Sequence, residues 1–315
     1  MSVQNLNTLE TQNKYRSPFS RWNESSWIRS KPIREHQIAG LPFSPDLVPA
    51  ISHPLISADF NAWMAMLAYR LLAHLQFTTR LELSHVNPIC SALAQSQAPI
   101  ILTTEQRHDA LRIYCDEGGH ALFVELLSKQ VEQTFSVDSA VLGCPQFERT
   151  LEQVIDKYQT QVSANLIKLF FVTVSETLVT NVLHSVPQDK RVAPAVRAVI
   201  GDHAADEALH SVYFRNLFPM LWNGLSPKER EIIGQLLPQL VWAFLGPDYS
   251  VESNVLRQLG FTSNNIARVL EEVYVPTQVA QAVRQAAKPT IKMFESAGVF
   301  ATGSVKQVFA DYELI

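Results

Sequence analysis

The chain has 315 residues, of which 47% are apolar and 18% charged, and its formal net charge at pH 7 is -4. This length and apolar content allow a large buried core, while the small negative charge gives no reason to expect nucleic acid or an acidic membrane surface as a partner. The three cysteines, Cys90, Cys115 and Cys144, have unrelated spacings, so we expect no disulfide framework and a reducing, cytoplasmic location.

The N-terminal residues 1–50 are polar, with scattered tryptophans and prolines. They predict an irregular arm lying over the domain, with its first part disordered, and residues 51–315 predict a single all-helical domain. Residues 1–16 lack the apolar core of a signal peptide. The most apolar stretch, residues 166–183, is interrupted by Lys168 and Glu176, so no membrane span is expected.

Helical periodicity begins at Ala58 and continues past residue 90, with a bend predicted at residues 77–79 because two β-branched residues fall there. Pro99 interrupts the pattern. Thr103, followed three residues later by Gln106, is a capping box that predicts the start of the next helix.

A long helix is then predicted over residues 166–183, with one face formed by Leu166, Leu169, Thr173, Glu176, Thr180 and Leu183. The next helix is expected to begin near Pro194, because proline is favoured in a first turn. Beyond Pro219, prolines and glycines divide the chain into shorter helices, and an irregular tail with Gly298 and Gly303 is expected at the end. No βαβ alternation and no phosphate-binding glycine loop occur, so the expected fold class is all-α.

The stretch from His203 to His210 carries the first chemical signal. His203, Glu207 and His210 are spaced i, i+4 and i+7, which places them on one stripe of a helix. Apolar residues continue this stripe in both directions: Val196, Val199, Ile200, Phe214 and Leu217. Burial of unpaired carboxylates and imidazoles is costly, and a metal ion is the simplest partner. The alternative is an exposed face that meets only water, which the apolar stripe argues against.

Matching residue types occur at three other places in the chain. Glu117 and His120 form a second Glu-x-x-His pair, and single glutamates, Glu82 and Glu176, lie on two further apolar helical faces. Two lone glutamates and two Glu-x-x-His pairs, one set per helix, are the ligands of a carboxylate-bridged di-metal centre in a four-helix bundle.

The register of the two helical hairpins gives an independent test. The midpoint of Glu82 and Glu117 falls at residues 99–100, in the first turn, and the midpoint of Glu176 and His203 falls at residues 189–190, in the second. Residues equidistant from a short turn lie at equal depth, so both pairs are level within their hairpins. One shared centre requires this arrangement.

The donor set is rich in oxygen and lacks thiolates, which favours iron over zinc and leaves manganese as an alternative. One of Glu82 and Glu176 is expected to bridge the metals, although the sequence does not say which glutamate does. His203 lies about 10 Å along the helix axis from His210, so it reaches the centre only if the side chains converge. His85, three residues after Glu82, is expected to be a core histidine or a neighbour of a ligand.

The glycines and aspartates next to the candidate ligands each allow two interpretations. Gly118 and Gly119 are either a tolerated weakness in the helix or leave room for oxygen, substrate or a π-bulge. The aspartates beside the ligands either orient the imidazoles or are merely solvated; they are Asp116, Asp202 and Asp206.

In the order Glu82, Glu117-x-x-His120, Glu176, His203-x-x-x-Glu207-x-x-His210, the chain resembles the p-aminobenzoate N-oxygenase (AurF-like) family of di-iron enzymes. The phrase Leu-Ser-His-Val-Asn-Pro after Glu82 also resembles the family's first ligand helix. The resemblance covers roughly residues 60–220. It implies a ferritin-like four-helix bundle with additional helices, and seven metal ligands, of which His203 separates this family from ordinary ferritin-like proteins.

The activity implied by this resemblance is that of a non-haem di-iron monooxygenase that uses O₂ to oxidise an amine nitrogen to a hydroxylamine, nitroso or nitro group, in natural-product biosynthesis. Its cofactors would be two iron ions, with O₂ as co-substrate and a reductase or another external electron donor. The substrate would be a small-molecule amine or one tethered to a carrier protein, and aryl and aliphatic amines both stay open. The chain would act as a monomer or a homodimer.

Three other interpretations compete with N-oxygenation. The same ligands serve other di-iron oxidations, such as C–H hydroxylation or desaturation. A ferritin-like iron-binding protein without enzymatic activity would also carry them, although storage predicts a shell-forming oligomer. A purely structural helical protein with a coincidental polar stripe fits least well, because both hairpins are level and all four glutamates match.

Overall fold

The computed structural model describes residues 15–34, 37–178 and 181–315. Secondary structure within these ranges is helical, apart from one isolated parallel bridge between Leu41 and Val192. The helices of eight or more residues are α1 (Phe60–Leu81), α2 (Asn87–Ala94), α3 (Thr104–Phe135), α4 (Gln146–Tyr158), α5 (Ala164–Ser175), α6 (Pro194–Gly224), α7 (Pro227–Leu245), α8 (Tyr249–Gln258), α9 (Ser263–Val273), α10 (Pro276–Ser296) and α11 (Gly303–Asp311). The predicted all-α fold class is confirmed.

The N-terminal arm is less irregular than the sequence predicts. It contains the four-residue helices Trp22–Ser25 and Trp27–Ser30 and the 3₁₀ turns Pro45–Leu47 and Pro49–Ser52. The predicted disorder concerns the first part of the arm, and residues 1–14 lie outside the described part of the chain.

The helix starts agree with the capping signals. The Thr103 hydroxyl accepts a hydrogen bond from the Gln106 backbone N–H at 3.1 Å, and the Gln106 side-chain oxygen accepts one from the Thr103 N–H at 2.9 Å. This capping box satisfies two of the free N–H groups at the start of α3. Pro194 is the first residue of α6, as predicted.

The bend predicted at residues 77–79 is wrong, because α1 continues as a regular α-helix to Leu81. The irregularity lies instead at Glu82–Val86, which forms one π-helical turn in which the Asn87 N–H donates to the Glu82 carbonyl. Pro88 accounts for it. Its ring would clash with the carbonyl four residues earlier, and it has no N–H to donate, so the wider turn relieves both problems.

Two further boundaries differ from the prediction. Helix α5 ends at Ser175 rather than at residue 183, and tighter bonds follow it, from Thr177 N–H to the Val174 carbonyl and from Leu178 N–H to the Ser175 carbonyl. Thr180, which was expected on the same face, lies outside the described residues. The tail expected to be irregular, with Gly298 and Gly303, is so only at its start: Gly298 has a left-handed backbone and Val299–Ala301 is a 3₁₀ turn, but Gly303–Asp311 is helix α11.

A four-helix bundle forms the centre of the domain. Helices α1 and α2, joined by the π turn, pack together on α3, and α3 packs on α6. Helix α6 in turn packs on α5, and α5 contacts α2, which completes the ring of four. Helix α7 covers the outside of α4 and α5 and carries α10 and α11 on its other side. None of the helices in the described part of the chain combines the length and apolar character that crossing a bilayer requires.

Two apolar clusters fill the bundle, one on each side of a polar layer. On α6, Val196, Val199 and Ile200 belong to one cluster, while Tyr213, Phe214 and Leu217 belong to the other. On α3 the clusters contain Val124 and Leu127 on one side and Ala110 and Ile113 on the other. The stretches between them, residues 117–120 and 203–210, are the ones that carry the predicted ligands.

Candidate metal centre

The four bundle elements deliver the seven predicted ligands to one place. Glu82 comes from the π turn and Glu176 from the residue that directly follows α5, and the other five come from α3 and α6: Glu117, His120, His203, Glu207 and His210. Six of the seven are buried, and the side chain of Glu207 is 17% exposed. They form two groups of four that share one member, either of which has the residue types to hold a metal ion.

The first group contains Glu82, His120, His203 and Glu207, whose ligand atoms lie within 4.8 Å of one another. The Nε2 atom of His203 lies 3.1 Å from Glu82 Oε1 and 3.2 Å from Glu207 Oε1. The Nδ1 atom of His120 lies 3.7 Å from Glu82 Oε1 and 3.6 Å from Glu207 Oε1. Two imidazole nitrogens therefore face two carboxylates around one point, which suits a divalent ion such as iron.

The second group contains Glu117, Glu176, Glu207 and His210. The Nδ1 atom of His210 lies 3.1 Å from Glu117 Oε1, 3.2 Å from Glu207 Oε1 and 3.9 Å from Glu176 Oε2. This position has three carboxylates and one imidazole, so the two groups differ in donor type.

Glu207 is the residue common to both groups. Glu117 also lies between them, because its Oε2 atom is 3.1 Å from His120 Nδ1 while its Oε1 atom faces His210. Glu82 and Glu176 each belong to one group only. The geometry thus places Glu207, rather than one of the two lone glutamates, in the shared position. It divides the first Glu-x-x-His pair, Glu117 and His120, between the two groups, while Glu207 and His210 stay together in the second.

The buried polar atoms at the centre lack partners within the protein. Four of them have no hydrogen bond: Glu82 Oε2, Glu117 Oε1, Glu176 Oε2 and His210 Nδ1. Glu117 Oε1 and His210 Nδ1 lie 3.1 Å apart, yet no hydrogen-bond geometry joins them. Buried atoms left unsatisfied in this way are costly unless an ion completes them. The four carboxylates would balance the charge of two divalent ions, so the residues fit a di-metal centre.

Without metal, protons balance the charge at the centre. Burial and repulsion by Glu117 raise the pKa of Glu82 to about 7. Burial and repulsion by Glu207 raise the pKa of Glu176 well above its usual range. Burial and His120 disfavour the charged form of His203, but hydrogen bonds to Glu207 and Glu82 outweigh them and raise its pKa to about 9. Metal ions bind deprotonated ligands, so binding here must release protons.

Each Glu-x-x-His imidazole is held from behind by an aspartate on the opposite helix. His120 on α3 has its Nε2 atom 3.1 Å from Asp206 on α6, and His210 on α6 has its Nε2 atom 3.3 Å from Asp116 on α3. Both aspartates are buried. A carboxylate on the outer nitrogen fixes the tautomer and leaves Nδ1 free to bind metal.

The comparison with protein families agrees with this geometry. The model of the family described as p-aminobenzoate N-oxygenase AurF matches residues 17–298, nearly the whole chain. The chain belongs to the AurF family. Members of this family are di-iron N-oxygenases with a ferritin-like helical fold, so the protein is an enzyme, a di-iron monooxygenase. Among curated proteins the chain has no significant match.

The structure of this AurF-family enzyme also shows the positions of three residues whose role the sequence left open: His203, His85 and Asp202. His203 reaches the centre through its distal nitrogen, Nε2, which offsets its distance along α6 from His210. His85 lies in the π turn but belongs to neither group; its ring packs against Phe147 and Phe171. Asp202 does not orient an imidazole and instead pairs with Lys31 and Arg34 of the N-terminal arm.

The two glycines after Glu117 have different surroundings, and neither prediction for them is correct at Gly119. Helix α3 stays regular there, with no π-bulge. A Cβ on Gly119 would lie 1.8 Å from the Cγ2 atom of Ile28, so the space is filled by the N-terminal arm rather than by oxygen or substrate. A Cβ on Gly118 would meet nothing within 4 Å, so Gly118 is the tolerated weakness.

Sequence reasoning missed the arm's contribution to the centre. Trp22 and Ser26 hydrogen-bond to Asp116, and the backbone N–H of Trp27 donates to Asp206. These contacts join residues that are 90 to 179 positions apart. The one related feature of the sequence is the glycine pair after Glu117, and it does not predict the contact, because Gly118 has nothing within 4 Å while Gly119 lies against Ile28.

The centre opens onto a cavity of about 50 Å³. Four of the seven candidate ligands line it: Glu82, Glu176, His203 and Glu207. Most of the remaining lining is apolar, with Phe77, Leu81, Leu178, Leu183 and Phe244, and the polar exceptions are His74, Thr78 and Ser175. Burial, His203 and Arg70 together lower the pKa of His74 to about 3, so this imidazole is neutral at pH 7. Sequence reasoning missed His74 because an isolated histidine on an apolar helix resembles a core residue.

Proposed function

We propose that this AurF-family enzyme uses O₂ to oxygenate the nitrogen of an amine. In the first step R–NH₂, O₂, two electrons and two protons give R–NHOH and water, and further rounds give nitroso or nitro products. The observation that carries the proposal is the cavity, which connects the shared carboxylate Glu207 and three other candidate ligands to a mostly apolar space. A substrate nitrogen placed there would lie beside both metal positions.

Two iron ions, held by the seven residues of the two groups, would supply the oxygen activation and the storage of two electrons. The protein's own part is to seat the amine and exclude water. The rings of Phe77 and Phe244 and the side chain of Leu81 keep the cavity apolar. Neutral His74 can accept a hydrogen bond from an amine N–H, which would orient the nitrogen lone pair towards the metals.

The cavity also bears on the substrate class. Its lining contains no lysine or arginine among the described residues, and Val179 and Thr180, the two undescribed residues nearby in sequence, are uncharged. Arg197 and Arg215, the arginines considered from sequence, do not line it. The family's name refers to p-aminobenzoate, which carries a carboxylate. A carboxylate buried without a cation is strongly disfavoured, so we propose a mainly apolar amine that carries no carboxylate.

The remaining parts of the reaction system belong to the same proposal. Two electrons per turnover call for a reductase or another external donor, and the amine arrives free or tethered to a carrier protein. We propose a role in natural-product biosynthesis in the cytoplasm, and a monomer or homodimer in solution. Light scattering on the purified protein measures the last of these directly.

The test combines iron loading with product analysis. The protein is loaded anaerobically with two equivalents of Fe(II), reduced, and given ¹⁸O₂ with a panel of aryl and aliphatic amines, each paired with its alcohol analogue of equal size. We expect ¹⁸O on nitrogen in the products of amines that lack a carboxylate, and none in those of the alcohols. Oxygen on carbon, or desaturation, would favour the alternative di-iron oxidations, and bulk ferric mineral without product would favour iron storage.

Two variants provide the matched control. Glu207→Gln removes the shared carboxylate and should abolish both iron binding and product. Glu252→Gln changes another buried glutamate, which accepts a hydrogen bond from Tyr274 away from the centre, and should keep both. Full activity in Glu207→Gln would refute the assignment of the site.

A further inference from the structure

The segment Tyr15–Arg34, which we call the arm segment, lies across α3 and α6 on the outer side of the metal centre. Its residues meet four aspartates, two on each helix: Asp109 and Asp116 on α3, and Asp202 and Asp206 on α6. Two of these, Asp116 and Asp206, are the ones behind His210 and His120. The arm segment therefore contacts the groups that hold the imidazoles.

The contact with Asp116 is made by side chains. The indole N–H of Trp22 lies 2.9 Å from both carboxylate oxygens, and the Ser26 hydroxyl donates to Oδ1 at 2.6 Å. Oδ2 then faces Nε2 of His210 at 3.3 Å. Because Asp116 is 1% exposed, no bulk water can replace these donors. Ser26 binds Oδ1 alone and Trp22 contacts both oxygens, so together they hold the carboxylate with Oδ2 towards His210.

The contact with Asp206 is made by the backbone. The Trp27 N–H donates at 3.1 Å to Oδ2, the same oxygen that lies 3.1 Å from His120 Nε2. The Trp27 ring also lies beside that imidazole, with ring centroids 6.1 Å apart. Removing the Trp27 N–H would require proline, which also restricts the backbone, so the side-chain contacts to Asp116 give the cleaner test.

The arm segment is anchored on both sides of these contacts. Tyr15 and Ser17 hydrogen-bond to Asp109, and Lys31 and Arg34 pair with Asp202. Between them Ile28 fills the space beside Gly119. A segment anchored at both ends and packed in the middle holds its donors in fixed positions.

We propose that Trp22 and Ser26 are positioning residues of the metal centre, which act through Asp116 on the orientation and basicity of His210. This inference rests on the proposed di-metal centre. Partners of this kind behind a metal-binding histidine commonly affect metal affinity by about 10- to 100-fold. We therefore expect the loss of the Trp22 N–H to weaken the metal position that contains His210, and to leave the other position largely unchanged.

The test compares two tryptophans that each donate one indole hydrogen bond. Trp22→Phe removes the donor to Asp116, and Trp242→Phe removes a donor of the same kind, whose acceptor is the Tyr312 carbonyl at 3.0 Å in another part of the fold. Full-length metal-free protein is titrated with Co(II), and binding is followed by visible absorption. We expect two ions per wild-type chain, an about tenfold weaker affinity for one of them in Trp22→Phe together with shifted absorption bands, and wild-type behaviour in Trp242→Phe.

A second background separates positioning from general destabilisation. In Asp116→Asn protein the Trp22→Phe substitution should have no further effect on Co(II) affinity, because the residue through which Trp22 acts has already changed. An equal loss in both backgrounds would overturn the positioning role, as would two ions bound by Trp22→Phe with wild-type affinity and spectrum. Fewer than two ions on wild-type protein would overturn the metal centre itself, which is a different failure.

Discussion

The adjacent glycines Gly118 and Gly119 allow a paired test of how the arm segment packs on α3. Each is changed to alanine in turn. Alanine is favoured over glycine inside a helix by about 1 kcal/mol, and this gain applies equally to both positions. Only the surroundings differ, because the new Cβ at 118 meets nothing within 4 Å, whereas at 119 it lies 1.8 Å from Ile28 Cγ2 and 3.3 Å from Ile28 Cβ.

The magnitude follows from that geometry. Carbon atoms pack at about 3.5–4.0 Å, so the Ile28 methyl must move by roughly 2 Å. Isoleucine is stiff at χ1, so this movement requires an unfavourable rotamer or a shift of the arm backbone, at a cost of about 1–3 kcal/mol. Gly118→Ala should therefore stabilise the protein by about 1 kcal/mol, and Gly119→Ala should be less stable than Gly118→Ala by about 1–3 kcal/mol.

The assay is urea unfolding of the metal-free variants followed by circular dichroism, with trypsin cleavage after Arg29 as a measure of arm release. Compared with Gly118→Ala, the Gly119→Ala protein should unfold at a lower urea concentration and be cleaved faster in the arm segment. Ile28→Ala in the same chain should recover part of the loss, because the clashing Cγ2 atom is gone. Equal stabilisation by both alanines, with unchanged cleavage, would refute the packing of the arm on α3.

Three further predictions concern the metals. Glu207→Ala should lose both ions because Glu207 belongs to both groups, whereas Glu176→Ala should lose only the ion beside His210. The measurement is metal content after desalting, with the helicity of each variant checked by circular dichroism. Equal loss of metal in both variants would contradict the grouping. His85→Ala should keep both ions, and the loss of one would make His85 a ligand. His203, with a pKa raised to about 9, and His120, whose pKa lies well above its usual range, are both protonated at pH 7 without metal. Binding to their group should therefore release more than one proton and tighten by at least about tenfold per pH unit from pH 7 towards 9. Calorimetry in buffers of different ionisation enthalpy counts these protons, and a pH-independent affinity would contradict the prediction.

The seven residues that the structure brings together in the two groups could be singled out from sequence because their signals are local. The i, i+3 and i, i+4 spacings on α3 and α6 hold wherever the helix forms, and the level register follows from the short turns. This reasoning brought Glu82 and Glu176 to the correct depth although one lies in a π turn and the other just beyond the end of α5. Helix boundaries were harder to predict from sequence, because they depend on individual backbone hydrogen bonds near Pro88 and Thr177.

The contacts behind the imidazoles could not be derived in the same way. Asp116 and Asp206 stand next to Glu117 and Glu207 in sequence, but each serves the histidine of the opposite helix, which depends on how α3 and α6 pack together. The donors to those aspartates come from a segment that looks irregular and polar. Only the assembled fold brings them together.

The pair of glycines after Glu117 is the feature of the sequence most closely related to the contact between the arm segment and α3. A glycine in a helix interior costs about 1 kcal/mol, and Gly119 stands between two candidate ligands, where a stable helix matters most. Gly118 shows that a glycine can be tolerated there without any neighbour, so the cost alone does not reveal a contact. What separates the two positions is direction: residue 119 points to the same side of α3 as Asp116, the side that the arm segment covers, whereas residue 118 points to solvent. A helical wheel places residues 116 and 119 on one side of α3, and the structure shows that this side is covered and that Ile28 covers it.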